Sequence, residues 1–201
     1  MPRYFNKFPK LLYTKDLNTS LVTNLLIRVD TIKDKLDNMA LFYTYDIQEG
    51  DTPELIASKY YNDAELHWVV LMFNNIYDPF YDWPMHYQQF QTYIIEKYGD
   101  VATAKATHHH YEKTIATIDS YSGETTKNTY TIDLNSYNAA VVGTITRTFP
   151  NGQTVTVTTT KRNVDSYMYE DELNESKRTI KLIKSDLIPD IKKQFDYLMS
   201  V

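Results

Sequence analysis

The residues that first suggest chemistry are three adjacent histidines, His108-His109-His110, with Glu112 close behind. Imidazole and carboxylate can hold a divalent metal, but the ligands must converge on one point. Neighbours in an extended chain point to opposite faces, so this run does not form a three-ligand site. Glu170, Asp171 and Glu172 could serve as acid and base, but on a polar stretch they read as a solvated face. The 201 residues include no cysteine, which removes thiol nucleophiles, disulfides and Cys-based zinc sites. The chain also lacks Gly-x-Ser-x-Gly, a phosphate-binding glycine loop and His-Glu-x-x-His. No catalytic residue, metal or cofactor is expected.

Other residues suit binding. Tyrosine is abundant, at 18 residues against 8 Phe and 2 Trp. A tyrosine ring is apolar with a polar tip, which fits interfaces that are wet at the rim. Tyr77, Phe80, Tyr81 and Trp83 crowd one proline-bounded loop, and each ring is worth ~1.5–3 kcal/mol if fully covered. Tyr4, Phe5 and Phe8 lie in an aromatic, basic start too apolar for an idle tail, and read as a strap that orders on a partner. Phe195 lies on the apolar stripe of a final helix. These residues are the expected partner contacts. The net charge of −5 argues against nucleic acid. No signal peptide is read at the start, and no apolar run reaches the ~20 residues of a membrane span.

The pattern along the chain is that of an α+β protein in four parts. Residues 1–40 read as an arm followed by a helix over Ser20–Asn38, from Leu21, Leu25, Ile32 and Leu36. Residues 41–100 carry a strand at Leu41–Ile47, a turn, and a helix with Thr52 as N-cap and Pro53 at its first position. Asp63 can cap the next helix, and a further helix over His86–Tyr98 ends at Gly99. Residues 101–166 are Thr-rich, with strands at Lys113–Asp119, Thr129–Leu134, Thr144–Phe149 and Thr154–Thr160. The last two flank Pro150-Asn151-Gly152-Gln153, a hairpin signal. Residues 167–201 carry a strand at Arg178–Ile183 and a helix over Leu187–Met199, capped by Ser185 or Asp186.

The run from Tyr43 to Tyr61 resembles the first half of a LysM module: an aromatic strand, Gly50-Asp51-Thr52, then a short helix with Leu55, Ile56, Ala57 and a closing Tyr60. The continuation departs from an ordinary LysM. Trp68-Val69-Val70-Leu71-Met72, then Asn74, Tyr77-Asp78-Pro79 and Trp83 resemble one family specifically. That family is the baseplate wedge proteins of contractile-tail bacteriophages with an embedded LysM-like domain, the wedge protein 53 family. Weaker resemblance covers Phe5–Pro9 and the closing segment from Arg178. The Thr-rich part carries no such signal and reads as an insertion.

The resemblance implies a small βααβ LysM-like module flanked by helices, with an antiparallel β insertion and a C-terminal helix. It implies a non-enzymatic virion protein, assembled in the host cytoplasm into the tail baseplate. Its partners would be other wedge subunits and neighbouring wedges. A second reading is a cell-wall glycan-binding protein whose groove uses Gly50, Asp51 and Thr52. The single module without a hydrolase weighs against it. A third is a LysM protein joining tail tube and baseplate hub.

Overall fold

The computed structural model describes residues 8–16, 18–24 and 39–199, which form an α+β protein of two compact units. The first comprises the chain up to His86 together with Glu175 onward; the second is Tyr87–Asn174.

The first unit is built on strand β3 (Phe42–Asp46), paired antiparallel with β8 (Thr179–Ile183). Tyr43 lies opposite Leu182, and Tyr45 opposite Ile180. Between them in sequence come α1 (Pro53–Tyr61) and α2 (His67–Phe73). The start of α1 follows the sequence: Thr52 Oγ1 accepts from the Leu55 N–H at 3.3 Å, and Pro53 supplies the helical φ without wasting a donor. Asn62 ends α1 at φ +56°, a left-handed position that Asn tolerates. Asp63 then caps a 3-10 turn that runs into α2, its Oδ1 accepting from the Glu65 N–H. Ile47, Ile56, Val69, Val70, Ile180 and Leu182 form the buried centre.

Asn74 ends α2 and does a second job. Its amide donates to Lys181 O at 2.8 Å and its Oδ1 accepts from Lys181 N–H at 2.8 Å. One side chain thus takes the place of a neighbouring strand at the outer edge of β8. The final helix α7 (Ile188–Met199) follows a 3-10 turn at Ser185–Leu187. Lys184 occupies the cap position of that turn with no side-chain cap bond, so neither Ser185 nor Asp186 is the cap expected from sequence. Phe195 and Met199 of α7 bury against Phe8, and Trp68 packs on Phe195 in a tilted pair with ring centroids 4.6 Å apart.

One expectation is overturned. A helix was expected from Ser20, but Asn18–Thr23 is strand β2, paired antiparallel with β1 (Lys10–Lys15). Leu12 faces Leu21 and Leu11 faces Val22, across a turn with Asp16 at φ +50°. Leu21 and Leu25 fit a helical spacing, but Thr19, Val22 and Thr23 are β-branched and pair well across strands. The remainder of the expected helix lies outside the described residues.

The second unit opens with α3 (Tyr87–Tyr98), stopped by Gly99 at φ +89°. Asp100 caps the short α4 (Val101–Ala106). A four-stranded antiparallel sheet follows in the order β5-β4-β7-β6, from β4 (His108–Asp119), β5 (Thr125–Ile132), β6 (Gly143–Thr148) and β7 (Thr154–Asp165). Strands β4 and β7 are longer than the sequence pattern suggested, and three helices absent from it appear: α4, α5 (Leu134–Ala139) and α6 (Ser166–Ser176).

Helix α6 also corrects the solvated-face reading for Glu170, while Glu172 is exposed. Glu170 is buried and accepts from Tyr93 Oη at 2.9 Å, Tyr98 Oη at 2.9 Å and Lys97 Nζ at 2.7 Å. Burial works against its ionisation, but the bonds from Lys97, Tyr98 and Tyr93 prevail and hold its pKa below the ordinary carboxylate value. The same bond to Glu170 pushes the Lys97 pKa up. Glu172 pairs with Arg162, which also reaches Glu112 at 2.6 Å.

The Asn74 clip gives a direct test. Asn74→Ala should lower unfolding free energy by about 1–2 kcal/mol, because it strands a donor and an acceptor of β8. Lys181→Ala should cost under about 0.5 kcal/mol, since only its backbone is used. Chemical denaturation of both variants checks the difference.

Candidate interaction surface

Asp51 sits at the turn into α1 and ties three parts of the first unit together. Gly50 precedes it at φ +83°, the left-handed backbone that glycine adopts without strain. The Asp51 carboxylate is buried and accepts from Tyr45 Oη at 2.6 Å, the Gln48 N–H at 3.0 Å and Lys59 Nζ at 2.6 Å. Burial opposes its charge, but the bonds from Lys59, Tyr45 and Gln48 outweigh that and depress its pKa. The hydrogen bond to Asp51 and burial push the Tyr45 phenol up to about 12. Thr52 uses its hydroxyl to cap α1. The side chains of Asp51 and Thr52 in the expected sugar groove are thus already engaged within the fold.

The backbone of Asp51 positions the aromatic loop. Trp83 packs against the core and donates from Nε1 to Asp51 O at 3.1 Å. Within the loop, Asp82 Oδ2 accepts from the N–H groups of Tyr77 at 3.1 Å and Asp78 at 3.0 Å. Asp78 Oδ1 accepts from the Phe80 N–H at 3.0 Å, and Asp78 O accepts from Tyr81 and Asp82 N–H. Lys177 donates to Tyr81 O. The Asp78–Phe80 bond is an Asx turn, in which a short carboxylate replaces a backbone turn, while Asp82 reaches back to close the loop. The loop is fixed, yet its rings point out: Tyr77, Phe80 and Tyr81 are 75, 80 and 70% exposed. A shallow cleft of about 300 Å³ borders it, lined in part by Asn74, Ile76, Asp82, Lys177 and Thr179.

The other expected contacts fall elsewhere. Phe8 and Phe195 are buried against each other, so their rings are spent inside the unit. Tyr4 and Phe5 lie outside the described residues. Sequence reasoning did not find Tyr45, Lys59 and Lys177, which hold the turn and the loop. Lys177 is distant in sequence and carries no local signal. Asp78 and Asp82, spaced to bridge a turn, did carry one.

The histidine run spans an irregularity between His108 and His110 in the pairing of β4 with β7. His109 stacks on Tyr169 at 3.9 Å, and His110 pairs with Glu112 at 3.0 Å. Among the described residues no group of three or more His, Cys, Asp or Glu side chains is placed to hold a metal. None of their helices is long and apolar enough to cross a membrane.

The first unit thus presents three uncovered aromatic rings on a loop held in shape by hydrogen bonds. Comparison with known proteins gives the family. Residues 13–200 match the profile of base plate wedge protein 53. The chain is 31% identical over 145 residues to baseplate wedge protein gp53 of Enterobacteria phage T4, covering 72% of this chain and 67% of that protein. The chain belongs to the base plate wedge protein 53 family, and is a structural component of the virion's tail baseplate.

The engaged state of Asp51 sets a pH dependence. Its folded pKa lies below the ordinary 3.8, so it contributes stability above that value and loses it as pH falls through the depressed one. Asp51→Asn should lower unfolding free energy at pH 7 by about 1–2 kcal/mol. It should also flatten the loss of stability below about pH 4. Urea unfolding of both proteins from pH 7 to 2.5 measures this; parallel curves would contradict it.

Proposed function

We propose that this protein binds other wedge subunits and holds neighbouring wedges together, with Tyr77, Phe80 and Tyr81 as its principal anchors. The observation that carries the proposal is the aromatic loop, in which three large exposed rings stand on a backbone already hydrogen-bonded into one shape. Aromatic anchors dominate interface energetics, and a pre-ordered loop loses little entropy on docking. The role is non-enzymatic. The strand–helix–helix–strand set β3, α1, α2 and β8 serves as a LysM-like scaffold whose product is the loop. Glycan binding has less support, because Asp51 and Thr52 direct their polar atoms into the fold.

Co-expression with the other wedge proteins of the same phage, followed by size exclusion, tests this reading. The intact chain should co-elute with at least one of them. Phe80→Ala with Tyr81→Ala should weaken that complex at least 30-fold, roughly the 2 kcal/mol of an anchor pair, while leaving the melting temperature unchanged. Independent elution from every wedge protein, singly and together, would remove the proposal. So would full binding by the double variant.

A further inference from the structure

The second unit carries a sheet edge with a single charge to guard it. Natural edge strands are normally blunted by charged side chains, lysine above all, or by proline, a bulge or a covering element. Strand β6 has one charge, Arg147, and no lysine, proline or bulge: its six residues, Gly-Thr-Ile-Thr-Arg-Thr, pair regularly with β7 and are exposed throughout. The opposite edge differs, since β5 carries Lys127.

The backbone alternation of β6 follows from its hairpin. Phe149 N–H donates to Gln153 O at 2.8 Å, which makes Phe149 and Gln153 a hydrogen-bonded pair. Bonded and non-bonded pairs alternate along an antiparallel ladder. Arg147 and Ile145 therefore turn their backbone groups toward β7, and Thr144, Thr146 and Thr148 turn theirs outward. The hydroxyls of these threonines lie on one face of the sheet. Thr144 Oγ1 meets Thr158 Oγ1 at 3.1 Å, and Thr146 Oγ1 meets Thr156 Oγ1 at 3.1 Å.

We propose that β6 pairs antiparallel with β6 of a second copy of this chain, with Thr146 on the two-fold axis. The choice of a second copy rests on self-complementarity. In this register Thr146 faces its own symmetry mate and Thr144 faces Thr148 of the second copy, so every outward N–H and C=O finds a partner. The hydroxyl ladder continues across the junction. On the other face Ile145 lies opposite Arg147 of the second copy, and no like charges meet. Placing Arg147 on the axis would oppose two guanidinium groups, which is destabilising. Placing Ile145 there would leave Thr148 without a partner strand. The contact is isologous and closed, so it gives a dimer and not a filament.

The full chain should show a concentration-dependent dimer mass by light scattering after size exclusion. Thr146→Lys should abolish it by bringing two ammonium groups together at the axis, while circular dichroism and melting temperature stay those of the parent. Thr146→Pro should do the same, because the N–H it removes points away from β7. The absence of native cysteine allows a register test. Cα atoms of a hydrogen-bonded antiparallel pair lie about 5.5 Å apart, within disulfide range. Thr146→Cys should cross-link into a covalent dimer under mild oxidation, and Thr129→Cys on the opposite edge should not. A monomer at all concentrations would overturn the proposal. So would a dimer that survives both Thr146→Lys and Thr146→Pro, or Thr129→Cys cross-linking as readily as Thr146→Cys.

Discussion

The pairing of β3 with β8 is the constraint on which the first unit depends. Each strand has five residues, and a two-stranded ribbon of that length is marginal in water. It persists because Ile180, Leu182 and Ile183 bring the apolar side chains that α1 and α2 need to bury Ile56, Val69 and Val70. The two strands come from widely separated parts of the chain, with a compact unit between them. The entropy of closing a loop rises only logarithmically with length, so inserting a folded unit there adds little cost. Both outer edges are managed locally. Asn74 clips β8, and Gln48 donates from its side chain to Asp46 O at 2.7 Å on β3.

Asp51 links that scaffold to the surface it presents. Its carboxylate ties β3, the turn and α1 together through Tyr45, Gln48 and Lys59. Its carbonyl holds Trp83, and so one end of the aromatic loop. A buried carboxylate is costly unless its acceptor sites are filled, and here a phenol, a backbone N–H and an ammonium fill them. The residue that in a sugar-binding reading would face solvent instead supplies internal order. Removing its charge should loosen both the start of α1 and the base of the loop.

Much of the first unit was legible because its signals are local. Thr52, Pro53 and Asp63 cap and start helices by contacts within a few residues, and the α1 and α2 stripes are short-range patterns. The aromatic loop was equally visible, down to which rings it holds. Three features were not, for distinct reasons. Residues 18–23 fit both a helical and a strand pattern, and only pairing with Lys10–Lys15 decides between them. Glu170 sits in an acidic run that looks solvated, and its partners Tyr93, Lys97 and Tyr98 lie on α3, far away in sequence. Phe8 and Phe195 announced themselves as sticky rings, but sequence could not tell that each covers the other.

The two units handle exposed surface in different ways. The first sets three of its most exposed rings on a loop that hydrogen bonds hold in one shape. The second spreads its exposed surface over a threonine-rich sheet whose outer strands β5 and β6 are exposed along nearly their whole length. Threonine suits such a sheet because its branched Cβ favours the extended backbone while its hydroxyl tolerates water. Cross-strand hydroxyl pairs, Thr114 with Thr129 at 3.0 Å and Thr146 with Thr156 at 3.1 Å, then replace some of the cohesion that apolar packing would give. The same choice has a consequence at the edge. A strand made largely of uncharged, β-branched residues is also one that another such strand can join. The composition that lets the sheet stand in water is therefore what leaves β6 open to pairing.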